Sequence, residues 1–313
     1  MVRIGITLGD PAGIGPDVVA AALREASTWS DDVRWTLFGP SNVAASLRKQ
    51  IGQDVAIVGG DDYEGPRGGP SAASGRTSLH ALSDAIEAAK RGEIDAISTA
   101  PISKEALALA GSNDRGHTEI LARELGIGAT AMSFFSSKLR TALVTTHLPL
   151  ADAVASLRPR RIIEVAELLS SSISLLDHVE RPRIAIAALN PHAGEAGLLG
   201  TEERAIIEPA VVDARARGLD VHGPIAADSV FRQTLDGEFD GVVSMYHDQA
   251  LIPLKLLGWG ESTNVTLGLS HPRTSPDHGT AFDRVGSEEL RSEGMVSALQ
   301  WAARLAQARS AGS

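Results

Sequence analysis

The feature that most constrains this chain is a rhythm. Short runs rich in Val and Ile alternate with longer Ala/Leu/Glu/Arg stretches whose apolar residues recur at helical spacing. Strands joined by crossover helices lie parallel and need helices on both faces, so the rhythm predicts an α/β fold. The expected strands are Val2–Leu8, Trp35–Phe38, Ala56–Val58, Ala96–Ser98, Ala129–Phe135, Leu139–Thr145, Arg183–Ala188 and Gly241–Ser244. The expected helices are Pro16–Ala26, Ser41–Gln50, Ser78–Arg91, Thr118–Leu125, Pro159–Leu169, Glu202–Arg217 and Glu293–Ala308. Pro16 suits a first helical turn, where its missing N–H has no intrahelical partner. The segment Gly59–Gly75, crowded with Gly, Pro, Asp and Ser, reads as a surface loop and as the one weak candidate for a boundary between sub-regions.

Composition removes several classes of function. The 313 residues carry 29 Lys plus Arg against 39 Asp plus Glu, a net charge of −10, and only 4% are aromatic. Neither the positive surface nor the stacking platform of a nucleic-acid binder is present. No run of about 18 apolar residues suggests a membrane span, and Met1-Val2-Arg3-Ile4 does not open a signal peptide, so a cytoplasmic protein is expected. The chain contains no cysteine and nine histidines, so thiolate metal sites are excluded and any ion must be held by imidazole or carboxylate.

Three of those histidines share a placement. His147 in Thr145-Thr146-His147-Leu148-Pro149, His192 in Asn190-Pro191-His192-Ala193-Gly194-Glu195, and His247 in Met245-Tyr246-His247-Asp248-Gln249 each fall just past an expected strand. Open α/β sheets collect ligand-binding residues there. A lone loop histidine is usually a surface or packing residue, but three in equivalent places suggest one divalent-cation site with a position left for substrate. Asp248 and Glu195 stand next to two of them as candidate hydrogen-bond partners; ordinary loop solvation explains both carboxylates as well.

Gly9-Asp10-Pro11-Ala12-Gly13-Ile14-Gly15-Pro16 lies between a strand and a helix, where glycines permit close approach to a ligand and the helix start favours an anion. Its spacing is not the Rossmann fingerprint, and a tight structural turn explains it equally. Gly116-His117-Thr118-Glu119 precedes a helix, offering either donors to an anion or Thr118 as an N-cap. Lys255, Asn264 and Arg273 supply local polarity and positive charge in an acidic chain, although each alone reads as a solvated surface residue.

Together these strings resemble the 4-hydroxythreonine-4-phosphate dehydrogenase family, including its catabolic branch acting on four-carbon sugar-acid phosphates. The likeness runs from Gly9 to about Gly286 and is strongest at Gly9–Pro16, Gly116–Glu119, Val144–Leu150, Asn190–Glu195, Tyr246–Gln249 and Arg273–Ala281. It implies an isopropylmalate/isocitrate dehydrogenase-like fold, with two intertwined α/β sub-domains spanning 1–313 around a central cleft. The implied reaction is metal-dependent, NAD- or NADP-linked oxidative decarboxylation. His147, His192 and His247 would bind zinc, magnesium, cobalt or manganese at a homodimer interface, with ligands drawn from both subunits. His117, Thr118, Lys255, Asn264 and Arg273 would contact a small anionic phosphorylated substrate, and Lys255 is also the candidate for proton transfer. Gly13, Gly15, Asp277, Gly279 and Thr280 would lie near the nicotinamide cofactor, and Asp228 matches a further acidic position taken as catalytic. The chain departs from the family's pattern at Phe282–Glu289 and at Leu269–Pro272.

The resemblance leaves D-threonate or D-erythronate 4-phosphate, or a diol carboxylate, as alternative substrates. A three-histidine site by itself would also serve a hydrolase or an aldolase, and the same clamp without turnover would make a sugar-acid sensor.

Overall fold

Five of the six residues of the first strand are buried, as they must be when helices cover both faces of a sheet. The computed structural model describes residues 1–311 apart from 27, 30, 31, 53, 54, 115, 259, 288 and 289. In chain order the elements are β1 (Val2–Thr7), α1 (Gly15–Ala26), β2 (Val33–Pro40), α2 (Ser41–Ile51), β3 (Ala56–Gly60), α3 (Ala72–Lys90), β4 (Ala96–Thr99), α4 (Lys104–Leu109) and α5 (His117–Leu125). There follow β5 (Gly126–Phe135), β6 (Arg140–Leu143), α6 (Leu150–Ser156), α7 (Pro159–Asp177), β7 (Ile184–Ala187), α8 (Glu208–Ala216), β8 (Val221–Ile225), α9 (Ala227–Leu235), β9 (Gly241–Ser244), α10 (His247–Leu257), β10 (Thr263–Leu269), β11 (Arg273–Pro276) and α11 (Glu293–Ala311). The chain divides into two units, residues 1–127 with 269–313, and residues 128–268. Gly59–Gly75 therefore lies inside the first unit and marks no boundary.

In the first unit the strands run β3-β2-β1-β4-β11, and every pair is parallel. Strand order reverses direction between β1 and β4, where the crossover connections leave on opposite sides and open a crevice at the strands' carboxyl ends. Ile4, Ile6 and Leu37 pack with Val18, Leu23 and Leu299 in one core cluster, while Phe38 and Ile97 join Leu82, Ile86 and Leu121 in another. The second unit has the order β10-β5-β6-β9-β7-β8. There β5 and β6 are antiparallel, whereas β6, β9, β7 and β8 pair in parallel. Phe134, Leu143, Val242, Leu251 and Leu254 share its core.

The expected strands and helices form, with shifted ends. Helix α3 starts earlier than periodicity indicates because Ser71 and Ser74 make a reciprocal capping box. Strands β8, β10 and β11 and helices α4, α6, α9 and α10 were not expected. Helix α10 is hidden in the sequence by Pro253, which sits inside it. Among the described residues no helix is long and apolar enough to cross a membrane.

Candidate active site

The first unit holds a buried arginine. Arg273 opens β11 in register with Ile97 of β4 and is only 3% exposed. This corrects the surface reading of Arg273: the guanidinium is inside. Its Nε and Nη2 donate to Thr99 Oγ1 at 3.1 and 2.7 Å, which fixes the plane of the fork. Burial lowers its pKa to about 10. Nearby, α5 begins at His117 directly after Gly116, so Gly116 takes the N-cap position and Thr118 falls inside the first turn. Thr118 is therefore not the N-cap.

His117 Nε2 is buried and has no hydrogen-bond partner. Burial, and secondarily the charge of Arg273, hold this imidazole well below its usual range. An orphaned buried ring nitrogen is costly, and here it stands with a guanidinium at a helix N-terminus. An acceptor placed there would satisfy the ring nitrogen. Among the substrate-contact candidates, His117, Thr118 and Arg273 belong to this unit, while Lys255 and Asn264 belong to the other.

The first unit also joins the two strings assigned to the cofactor. Ile14 N–H donates to Thr280 O at 3.0 Å, and a Cβ on Gly13 would lie 2.7 Å from the same oxygen. Gly9, at φ +68°, would place a Cβ 2.3 Å from Pro101 O, a position only glycine tolerates. The glycine requirement at Gly13 and Gly15 thus comes from the protein's own backbone, Leu8 O in the case of Gly15. Gly279, with open space around it, is the glycine that leaves room for a ligand.

Asp10 organises this joint. Its Oδ1 accepts from Ala12 N–H at 2.9 Å and its Oδ2 from Ser74 Oγ at 3.3 Å, while burial raises its pKa. Sequence reasoning missed Asp10, and it missed Arg67 as well. Arg67 Nη2 donates to Gly13 O at 2.6 Å and the guanidinium pairs with Asp17. Gly68 N–H donates to Ala12 O at 2.8 Å, so the segment read as a surface loop fastens the glycine-rich turn. Asp277 is half-buried just beyond β11.

In the second unit, His147, His192 and His247 follow β6, β7 and β9, all at the carboxyl ends of the parallel set. The rings of His147 and His247 stand 5.4 Å apart beside a concavity of about 250 Å³, also lined by Thr146, Leu148, Tyr246 and Asp248. His247 Nδ1 is 2.7 Å from Asp248 Oδ1, a contact that orients the ring and leaves Nε2 as the nitrogen a ligand could use. Two adjacent imidazoles, one so oriented, suit a divalent transition ion. Among the described residues no three His, Asp or Glu side chains converge on one point within the chain. His192 is exposed on a turn of its own, and Glu195 makes no hydrogen bond to it.

Lys255 lies a little over two helical turns beyond His247 on α10 and is half-buried. Asn264 is on β10, with its Oδ1 buried and unpartnered. Asp228 is exposed in the first turn of α9, and no hydrogen bond or ion pair ties it to another site residue.

Comparison with known proteins gives one consistent result. The profile of the family described as pyridoxal phosphate biosynthetic protein PdxA matches residues 19–302. The chain is 39% identical to a 4-hydroxythreonine-4-phosphate dehydrogenase of Geobacter metallireducens, over 99% of this chain and 97% of that one. It is equally 39% identical to a D-threonate 4-phosphate dehydrogenase of Salmonella typhimurium, over 97% and 98%. Among solved structures, that of the 4-hydroxythreonine-4-phosphate dehydrogenase from Klebsiella pneumoniae superposes with a TM-score of 0.89 at 36% identity, covering 98% of each chain. A beta-decarboxylating dehydrogenase from Thermococcus kodakarensis, 15% identical with a TM-score of 0.51 over 97% of this chain and 84% of that one, has the same fold.

Proposed function

Given that the chain belongs to the pyridoxal phosphate biosynthetic protein PdxA family, we propose that it oxidatively decarboxylates a four-carbon hydroxy acid 4-phosphate, with 4-hydroxythreonine 4-phosphate as the substrate. It is a nicotinamide-dependent dehydrogenase, as its relatives are named. The products are 3-amino-2-oxopropyl phosphate, carbon dioxide and reduced NAD or NADP. The observation that carries this reading is the unpartnered Nε2 of His117 beside buried Arg273 at the start of α5. A phosphorylated acid would supply the missing acceptor, with the desolvated guanidinium charge close by to favour it.

D-threonate 4-phosphate is the second reading, because the two named relatives are equally similar. It retains the carboxylate, the oxidisable hydroxyl and the phosphate, and replaces the amino group by hydroxyl. Both substrates should be offered with NAD and with NADP, following reduced cofactor and carbon dioxide together. Turnover of neither, alongside turnover of an unphosphorylated diol carboxylate, would overturn the phosphate assignment.

His147, His192 and His247 would hold the divalent ion. When bound, such an ion polarises the oxygen being oxidised and stabilises the electron pair left by decarboxylation, while the nicotinamide accepts hydride. This chain's own groups do the rest. Arg273, His117 and Thr118 seize an anionic end of the substrate, Asn264 presents its buried Oδ1 to a donor, and Lys255 moves the proton. Asp248 orients His247. The glycine-rich turn and the 277–280 segment, held together by the Ile14–Thr280 bond, receive the nicotinamide cofactor.

A second copy of the chain would complete the metal site, since no single chain gathers all three histidines. Exposed Leu148 and Leu150 beside His147, and Ile252 and Leu256 on α10, support that reading. A fully active monomer in sedimentation would overturn it.

A further inference from the structure

The turn that carries His192 is conformationally expensive. His192, Ala193, Gly194, Glu195 and Ala196 all adopt left-handed backbone angles, with φ of 51°, 53°, 76°, 44° and 56°. Four of the five have a Cβ, which the left-handed conformation brings too close to the following carbonyl oxygen. Left-handed residues ordinarily occur singly, so a run of this length persists only if its surroundings hold it.

What holds it is a carboxylate. Glu203 is 1% exposed, and its Oε1 accepts the backbone N–H groups of Leu189 at 2.9 Å and Asn190 at 2.7 Å. Its Oε2 accepts from Asn190 Nδ2 at 2.9 Å. The same oxygen would lie 2.7 Å from a Cβ on Gly194, so the carboxylate sits against the inside of the left-handed coil. Glu203 also opens a single π-helical turn, Glu203–Ile207, ahead of α8. Such wide turns are rare and recur at functional sites, because the extra residue re-aims a side chain.

From these contacts we propose that Glu203 is the positioning residue of the His192 turn, clamping the end of the β7 strand to the left-handed coil so that the imidazole is presented for metal binding. The proposal rests on the reading of His192 as a metal ligand. Glu203 touches neither ion nor substrate; it acts through Asn190 and the backbone. Its charge is satisfied by three donors, so a neutral side chain of equal size cannot replace it. Glutamine keeps one acceptor oxygen for the two backbone donors but turns an NH2 group towards Asn190 Nδ2.

The test measures zinc affinity of the full chain by competition with a chromophoric chelator, alongside amide hydrogen exchange at residues 189 and 190. Glu203→Gln is expected to weaken zinc binding about tenfold, the lower end of what removal of a ligand's supporting hydrogen bonds costs. Protection of the Leu189 and Asn190 amides falls with it, and turnover recovers when zinc is raised, which a purely structural lesion would not allow. Asn190→Ala, which removes the Nδ2 bonds to both Glu203 and Glu202 and leaves the Glu203 carboxylate with its two backbone donors, is expected to weaken zinc binding a few-fold. If Glu203→Gln does not fold, Asn190→Ala decides, and unchanged zinc affinity in it overturns the proposal. If His192→Ala loses zinc while Glu203→Gln binds it as the parent does, the metal reading stands and the positioning role is overturned. If His192→Ala keeps full zinc affinity, the metal reading fails and takes the role of Glu203 with it.

Discussion

The two units put similar residues to opposite uses. In the first, the Nε2 of a half-buried histidine at a helix start and a whole arginine side chain are out of contact with water. In the second, His147 and His192 are exposed and His247 is half-exposed, each at the end of a parallel strand. The first arrangement sets an unpartnered ring nitrogen beside a desolvated positive charge. The second keeps its rings in contact with solvent, so that little is lost if no ion is present, and on the proposed reading it relies on supports such as the Glu203 clamp to aim them. On the proposed reading, affinity would come from burial in one unit and from orientation in the other.

The largest effect that could break this contrast is Arg273→Ala. A charged hydrogen bond is worth about 1.5–3 kcal/mol, so kcat/KM for the phosphorylated substrate should fall about ten- to a hundredfold or slightly more. The loss for an unphosphorylated analogue should be much smaller, measured in the same assay. Equal losses for both would mean that Arg273 supports the fold and does not grip the anion.

A smaller effect is expected in the second unit. Asp248→Asn removes the carboxylate that orients His247 and should reduce zinc affinity about tenfold with no change in Tm. A fall in Tm with unchanged zinc affinity would make that pair an ordinary structural contact.

The smallest concerns stability against pH. Burial and Arg273 depress the His117 pKa in the folded state, so the unfolded chain binds more protons once pH drops below about 6.5. The stability contributed is present above that pH and is lost as pH falls towards the folded value. His271, also depressed by burial, adds a slope of the same sign. Tm should therefore decline between pH 7.5 and 5.5, and His117→Asn should flatten that decline in part. An identical slope in the variant would show that His117 protonates freely in the folded protein.

The sequence marked most of the site by residue type and position along the chain, and it was poorest where chemistry depends on contact. The three strand-end histidines were legible because β7 and β9 are short, apolar and flanked by Pro, Gly or Asp, and because β6 runs on into apolar Val144 before the polar Thr145-Thr146-His147. Helix α10 was not, since Pro253 disguises a helix whose buried Gln249 donates to Ala188 O and accepts from Met245 N–H. Strand β11 escaped notice because it is four residues long and begins with an arginine, a residue seldom buried. Nothing local in Asp10, Arg67 or Glu203 distinguishes them from solvated charges; each acquires its role from a partner 13 to 64 positions away.

By itself, then, the sequence determined the α/β class, the absence of thiolate chemistry and the strings that carry the family. Periodicity and composition are local properties, written in every window of the chain. Only the tertiary structure decided that Arg273 is buried, that Gly13 is small to admit Thr280, and that a left-handed turn aims His192 from a buried glutamate. Those facts depend on which distant backbone closes over which side chain, and desolvation has no signature until that closure is made.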